Sequence, residues 1–281
     1  MNQNGMQNMG PRGNSEEPAT YQAVRIGDIA DWRLIVVISG SGMSAYLKNS
    51  NPTADVVTLF EERWATDPDT LLSKIEAAVY DHPQVLDDFT ANIAVVAPKA
   101  IWAPIEYCPD EDAAAELYTA IYSTEPDEVM ADEEDDMQCL YTLVPGLKGF
   151  LQRTFPGARV NSHFSILKRR FADRSADMQR VYIDIRDGEA DFVVFDNARF
   201  LMAATHPWHA QEDMEYHLFN ILDVYGLAPE QVQVSLSGKK EIKTDLMVKL
   251  RERLQYVMLT MIPSISAKAN MPLAAALLLR N

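Results

Sequence analysis

The chain has 281 residues, and its 25 lysines and arginines against 41 aspartates and glutamates give a formal net charge of −16. Apolar residues make up 47% and charged residues 23%, a globular balance that excludes collagen-like, coiled-coil and wholly disordered chains. The acid excess also excludes a general nucleic-acid or anionic-membrane binder, because no basic surplus is available to neutralise phosphates.

The negative charge is concentrated in one segment. Thirteen acids fall between Glu106 and Asp136, and no lysine or arginine occurs between Lys99 and Lys148. The rest of the chain carries 28 acids against 25 bases and is therefore close to neutral. Residues 124–136 contain almost no apolar side chains, so we predict a projecting acidic loop that like-charge repulsion keeps extended.

The ends and the cysteines indicate a cytoplasmic protein. Residues 1–20 are rich in Asn, Gly, Gln and Met, which predicts a disordered tail without a signal peptide. Cys108 and Cys139 are too few for a disulfide framework and are expected to be reduced thiols. No apolar run approaches about 18 residues, so no membrane span is predicted.

The first globular unit is predicted to begin with a β-hairpin whose turn contains Gly40 and Gly42. A third strand ends at Trp64, and an amphipathic helix begins near Asp67, which has the character of an N-cap. The unit is completed by a strand at 93–96, a helix at 113–122, a strand at 139–144 and a helix at 147–153.

The second unit repeats this order. A hairpin turns at Asp187-Gly188, a third strand ends at Trp208, and a helix stops at Gly226. A short strand at 232–236 is followed by a helix on which Ile242, Leu246, Leu250 and Leu254 share one face, and then by a strand at 256–262.

The two units together indicate an internal duplication. Trp64 and Trp208 are 144 residues apart, and both units have the order β-β-β-α-β-α-β. That order is the ribonuclease-H-like unit, and two in tandem form the actin-like ATPase architecture. The predicted domains are 21–160 and 179–281, joined by a linker helix at 161–178.

The sequence also resembles a family of bacterial proteins of unknown function, family 3822, from about Trp32 to the C-terminal region. The stretches that carry the resemblance are FPGARVNSHFSILKRRF, VYIDIRDGEADFVVFDNARFLMAA and LAPEQVQVSLSG. The resemblance implies an actin-like ATPase fold, and it implies no particular activity.

A protein of that fold would bind nucleotide between its units, with glycine-rich turns next to the phosphates and carboxylates that orient Mg²⁺. The candidate cofactor-binding residues are Gly40, Ser41, Gly42, Asp187, Gly188, Gly238 and Lys239. At the ends of the first strands, where carboxylates are required, the sequence has Ile38-Ser39 and Ile185. Asp184 is one place early, which by strand alternation is expected to direct it to the opposite face.

We therefore expect a non-catalytic interaction or scaffold module with a degenerate nucleotide cleft, no catalytic residues and no resident cofactor. One alternative is an ATPase or kinase-like enzyme that uses ATP and Mg²⁺ through Asp184 or Asp187. Another is a binder of a small anion at Gly40–Gly42 and Lys239.

Two other groups of residues are candidates for a metal site or a protein-binding surface. His206, His209 and His217 match no closed zinc spacing, so no metal site is predicted. Lys168, Arg169 and Arg170 form the one compact basic patch, which is expected to be a solvated face, an internal partner for the acidic segment, or a surface that binds an anionic protein partner. Residues 124–136 are the other candidate surface for a protein partner.

Overall fold

A computed structural model describes residues 28–51, 53–175, 177–260 and 271–279. The tail predicted at 1–20 lies outside these residues. The strands are β1 Trp32–Ser39, β2 Gly42–Asn49, β3 Val57–Arg63, β4 Thr90–Val95, β5 Ala100–Pro104, β6 Val129–Glu134, β7 Met137–Thr142, β8 Arg159–Ser162, β9 Arg180–Ile185, β10 Glu189–Asp196, β11 Arg199–Pro207, β12 Gln233–Gly238 and β13 Tyr256–Leu259. The helices are α1 Pro68–Asp81, α2 Glu111–Tyr122, α3 Leu147–Thr154, α4 His163–Ala172, α5 Gln211–Tyr225, α6 Lys240–Leu250 and α7 Leu273–Leu278.

Two five-stranded sheets have the same topology. The first has the order β3-β2-β1-β4-β8 and the second the order β11-β10-β9-β12-β13. In each sheet the first three strands are antiparallel, and the last two are parallel to the first. The predicted duplicated α/β fold is therefore confirmed.

Strand alternation divides the apolar side chains among separate cores. In β1, Leu34, Val36 and Ile38 pack under α1 and α3, while Ile35 and Val37 join a central core. In β9, Val181, Ile183 and Ile185 pack under α5 and α6. Tyr182 lies on the other face, in the central core that also contains α4 and α7. Each sheet thus covers one face with its own helices and turns the other face inward.

Local signals set the helix ends as the sequence predicted. The Asp67 side chain accepts a hydrogen bond from the Asp69 backbone at the start of α1, with Pro68 in the first turn. The α5 helix ends at Gly226, which has a φ of 64°.

The acidic segment forms regular structure where a loop was predicted. Strand β6 occupies residues 129–134 and pairs with β7 in a third, three-stranded sheet of order β5-β7-β6. Asp132 of β6 is buried and accepts hydrogen bonds from the Ser162 backbone (2.6 Å) and the Tyr141 hydroxyl (3.2 Å). The prediction for residues 129–134 was wrong because these tertiary partners stabilise an acidic strand whose own composition disfavours one.

The basic patch is an internal partner of this acidic strand. The Lys168 ammonium is buried and bonds to the Glu134 carbonyl at 3.2 Å and to Asp135 at 2.8 Å. Arg169 forms an ion pair with Glu134. Of the alternatives for the patch, the structure shows the internal partner at Lys168 and Arg169.

Three elements differ from the prediction. The strand that closes the first sheet is β8, whereas the predicted strand at 139–144 corresponds to β7 of the third sheet. The linker helix expected at 161–178 is α4, which begins at His163. The C-terminal helix α7 was not predicted, and it packs against β1, β4 and α4, back on the first unit. Among the described residues, no helix is long and apolar enough to cross a bilayer.

Candidate functional site

A cleft of about 1130 Å³ lies between the two units. Its lining includes the β1–β2 turn, the β9–β10 turn, the C-terminal ends of β4 and β12, and the start of α7. These are the inward-facing ends of the two duplicated sheets, so the duplication brings corresponding parts of each unit to one cavity.

The two hairpins are held by the same device. The Trp64 backbone donates to the Ser41 carbonyl and its indole donates to the Gly40 carbonyl, both at 3.0 Å. In the second unit the Trp208 backbone donates to the Gly188 carbonyl at 3.0 Å, and its indole to the Arg186 carbonyl at 3.2 Å. The tryptophans therefore orient both turns toward the cleft, which explains the repeat found in the sequence.

Asp184 lies on the cleft face of β9, together with Tyr182. Alternation does place it opposite Ile185, but Ile185 faces α5 and α6, so it is Asp184 that faces inward. The expectation that Asp184 points away from the site was wrong for this reason. Asp184 pairs across the strands with Asp191 of β10, which also lines the cleft.

The first hairpin carries no carboxylate at the matching pair of positions. The two-residue turns are closed by Ser39 with Gly42 in the first hairpin and by Arg186 with Glu189 in the second. Two places further along the strands, Val37 pairs with Ser44 where Asp184 pairs with Asp191. Val37 and Ser44 line the cleft. The duplicated site therefore has two carboxylates on one side and none at the equivalent positions on the other.

The carboxylate of Asp191 is fully engaged inside the protein. The Arg186 guanidinium binds it in a bidentate manner, with Nε to Oδ2 at 2.9 Å and Nη2 to Oδ1 at 2.6 Å. The Thr205 hydroxyl donates to Oδ1 at 2.6 Å. His163 Nε2 is 3.2 Å from Oδ2, although its ring is turned so that this contact is electrostatic rather than an aligned hydrogen bond.

These contacts keep Asp191 ionised and join the two units. Burial acts to raise the pKa of Asp191, but the neighbouring His163 and Arg186 hold it well below its usual range. His163 begins α4, and its Nδ1 accepts a hydrogen bond from the Ala97 backbone of the first unit at 3.3 Å. The imidazole thus connects the end of β4 to the second sheet.

Asp184 has no such cationic partner. The Ser237 hydroxyl donates to its Oδ1 at 2.8 Å, and no lysine, arginine or histidine of the described chain lies within ion-pair distance. Only 9% of the residue is exposed. Burial, with the charge of Asp191 adding to it, raises the pKa of Asp184 to about 6.

The structure brings the sequence candidates of three loops to this cleft. Gly40, Ser41, Gly42, Asp187, Gly238 and Lys239 all line it. Gly188 is in the β9–β10 turn with a φ of 71°. Lys239 and Asp187, both from the second unit, form an ion pair at the cleft lining.

Two of these glycines are required by backbone packing. A Cβ on Gly238 would lie 2.0 Å from the Ile185 carbonyl oxygen, and a Cβ on Gly42 would lie 2.5 Å from the Glu62 carbonyl oxygen. Gly238 also has a φ of 96°, which side chains rarely adopt. Backbone packing therefore explains why both positions are glycine, without any contact to a ligand.

The donor set does not fit a magnesium–nucleotide complex. The first hairpin has Ile38-Ser39 where a carboxylate was required and Val37 at the position equivalent to Asp184, and Asp191 is already bound by Arg186. Among the described acids that line the cleft, Asp184 is the buried one without an ion pair, whereas the exposed Glu61 accepts a hydrogen bond from the Tyr46 hydroxyl. No group of three or more histidine, cysteine or acidic side chains in the described part of the chain is arranged to hold a metal ion.

The histidines weighed as metal ligands stack on each other. The rings of His206 and His217 lie 4.3 Å apart with an interplanar angle of 17°. His209 is at the start of α5, where its backbone donates to Asp213.

The sequence identified the turns and the segment that contains Ser237, and it gave no role to Arg186, Asp191 or His163. A signal for Asp184 was present, because Val181, Ile183 and Ile185 form the apolar face that helices cover. The partners from α4 and β12 come from distant parts of the chain and had no local signal.

Two solved structures have a similar architecture. The structure is similar to that of a protein with an actin-like ATPase fold and unknown function from Bacteroides thetaiotaomicron VPI-5482, with a TM-score of 0.74 and 21% identity over 89% of this chain and 95% of that one. It is also similar to a chain of the PilM-PilN type IV pilus biogenesis complex, with a TM-score of 0.52 and 14% identity over 84% of this chain and 90% of that one. No curated protein matches the sequence.

At these identities the structural likeness shows the fold alone. The sequence itself matches a family described as "Protein of unknown function (DUF3822)" over residues 22–257, which is most of the chain. The protein therefore has an actin-like ATPase fold and belongs to the DUF3822 family.

Proposed function

We propose that the protein is a non-catalytic interaction module whose cleft does not hydrolyse nucleotides. The observation that carries this proposal is the bidentate pairing of Arg186 with Asp191. It neutralises one cleft carboxylate within the protein, and the first hairpin has no carboxylate either at Ile38-Ser39 or at Val37, the position equivalent to Asp184. Phosphoryl transfer depends on metal ions that bridge and neutralise the phosphates, and the remaining donors are too few to hold one.

A role in binding another protein is consistent with the comparisons and with the surface. The PilM-PilN complex contains a chain of similar fold, so this fold occurs in protein assemblies. In this chain, residues 124–136 and helix α2 expose many acids, of which Glu128 pairs with Lys148 and Asp135 with Lys168. We expect a partner to contact this acidic surface, while Lys168 and Arg169 are already bound internally.

A titration tests the proposal. ATP and ADP are titrated into the protein by calorimetry with and without Mg²⁺, and phosphate release is measured in parallel. We expect no magnesium-dependent binding and no release above the protein-free control. Magnesium-dependent hydrolysis that is lost in Asp184→Asn would overturn the proposal.

A specific observation favours a second candidate, a nucleotide-dependent enzyme that acts through Asp184. This carboxylate faces the cleft, and its raised pKa is a property found at catalytic acids and bases. The same titration decides between the two, because that enzyme requires nucleotide binding that depends on both Mg²⁺ and Asp184.

Deletion of residues 124–128, which precede β6, tests the contact surface separately. Co-purification of a defined partner with the full chain and with the deletion variant would show whether these acids contribute. Retained partner binding by the deletion variant would assign the contact to another surface.

A further inference from the structure

The cleft contains one buried carboxylate that forms no ion pair within the described residues, and the charges of Arg186 and His163 favour its ionised form only from beyond ion-pair distance. Asp184 is buried, its Oδ1 is bonded to Ser237, and it has no ion-pair partner among the described residues. An ionised group in such surroundings is costly unless a cation joins it. Because the side chain lines the cleft, that cation can come from a ligand.

Part of the cleft lining is apolar. Val37 occupies the position equivalent to Asp184, so a hydrocarbon side chain and a carboxylate face one cavity from the two duplicated sheets. Further apolar lining comes from Tyr46, Leu167, Met271 and Leu273. A ligand that fits this lining has a polar head at one end and an apolar body at the other.

The charges in the cleft favour a positive head group. The lining has six acids, Glu61, Glu62, Asp184, Asp187, Glu189 and Asp191, against four lysines and arginines, Arg63, Lys99, Arg186 and Lys239, and one histidine, His163. Arg186 and Lys239 are bound by these acids, and the Lys99 ammonium lies 5.8 Å from the Tyr122 ring centre. An anionic ligand would meet a net negative lining, which argues against the small-anion alternative.

We infer that the cleft binds a small organic amine, with its ammonium group on Asp184 and its apolar body against Val37 and the start of α7. This inference rests on the proposed function, because the cleft is available only when no magnesium–nucleotide complex fills it. The cavity of about 1130 Å³ has room for such a molecule, since pockets for small ligands are typically about 300–1,000 Å³.

Three six-carbon probes with cationic, anionic and neutral head groups test the inference. n-Hexylammonium, n-hexanoate and n-hexanol are each titrated into the full chain near neutral pH, and binding is followed by NMR chemical-shift changes. We expect hexylammonium to bind, and hexanoate and hexanol to bind at least about tenfold more weakly. Hexylammonium affinity should fall as the pH is lowered through about 6, because Asp184 becomes protonated.

Two variants test whether hexylammonium binding depends on the Asp184 carboxylate itself or on the overall charge of the protein. Asp184→Asn keeps the shape and an acceptor for Ser237, and it should weaken hexylammonium binding by about tenfold or more. Asp245→Asn removes the same charge from an exposed position on α6, outside the cleft lining, and should leave binding unchanged.

Any of the following results would overturn the inference, and they differ in whether the proposed function is also overturned. Equal binding of hexanol and hexylammonium, or unchanged binding by Asp184→Asn, would show that Asp184 does not recognise the head group. Absence of hexylammonium binding together with absence of nucleotide binding would overturn the amine ligand and leave the interaction module standing. Binding of Mg²⁺–ATP that is lost in Asp184→Asn would overturn both.

Discussion

Replacing Asp184 by asparagine is expected to stabilise the protein, and more so at high pH. The pKa of this carboxyl is about 6 in the folded protein against an ordinary value of 3.8. Between these values the folded state binds more protons than the unfolded state, so the free energy of unfolding decreases as the pH rises. The cost of the ionised group is fully present above about pH 6.

The structure sets the size of the effect. A shift of this size corresponds to about 3 kcal/mol, since one pKa unit is about 1.4 kcal/mol. Asparagine carries no charge, and its carbonyl oxygen can still accept the Ser237 hydroxyl hydrogen bond. We therefore expect Asp184→Asn to raise the free energy of unfolding by about 3 kcal/mol at about pH 8 and by little at about pH 4.

Urea unfolding followed by tryptophan fluorescence measures this difference at a series of pH values. Asp245→Asn is the matched control, because it removes an exposed acid from the same unit and should change stability by less than about 0.5 kcal/mol at every pH. A variant at Asp184 that is no more stable than the wild type at pH 8, or a gain that persists unchanged at pH 4, would refute the reasoning.

The other predictions concern one glycine and one histidine pair. Gly238→Ala should lower the free energy of unfolding by on the order of 3 kcal/mol or prevent folding, because its Cβ would overlap the Ile185 carbonyl. Gly226→Ala, whose Cβ meets no atom within 4 Å, should lower it by about 1 kcal/mol. Urea unfolding of both variants measures the contrast, and equal losses would contradict the packing argument. Burial and the neighbouring His217 lower the pKa of His206, so the folded state binds fewer protons than the unfolded state and stability should fall as the pH drops through about 6.5. His206→Phe keeps a stacked ring and should lose less stability than the wild type between about pH 7.5 and 5.5, and identical pH profiles would contradict this assignment.

An acid that lowers stability and faces a cavity suggests a role other than folding. Functional sites commonly retain groups whose pKa is shifted at a cost to stability. Asp191 contrasts with Asp184 in this respect, because its charge is satisfied by Arg186 and Thr205 and it serves to connect the hairpin with the sheet. Two carboxylates on neighbouring strands thus have opposite pKa shifts.

Local pattern was enough to determine the duplicated fold. Alternating apolar runs around Gly40–Gly42 and Asp187-Gly188 predict the hairpins, because a two-residue turn and the strand period are both local properties. The recurrence of Trp64 and Trp208 has a direct physical origin, since each indole closes its own hairpin turn.

Only the tertiary structure determined which charged groups face the cleft and which of them are paired. The sequence places Asp184 and Ile185 on opposite faces of β9, but the packing of α5 and α6 against Ile185 determines that Asp184 faces inward. Strand β6 likewise forms because the acids meet Lys168 and the Ser162 backbone, more than 25 residues away in sequence. Burial and charge pairing are set by residues distant along the chain, so neither the orientation of Asp184 nor its unbalanced charge is visible in local sequence.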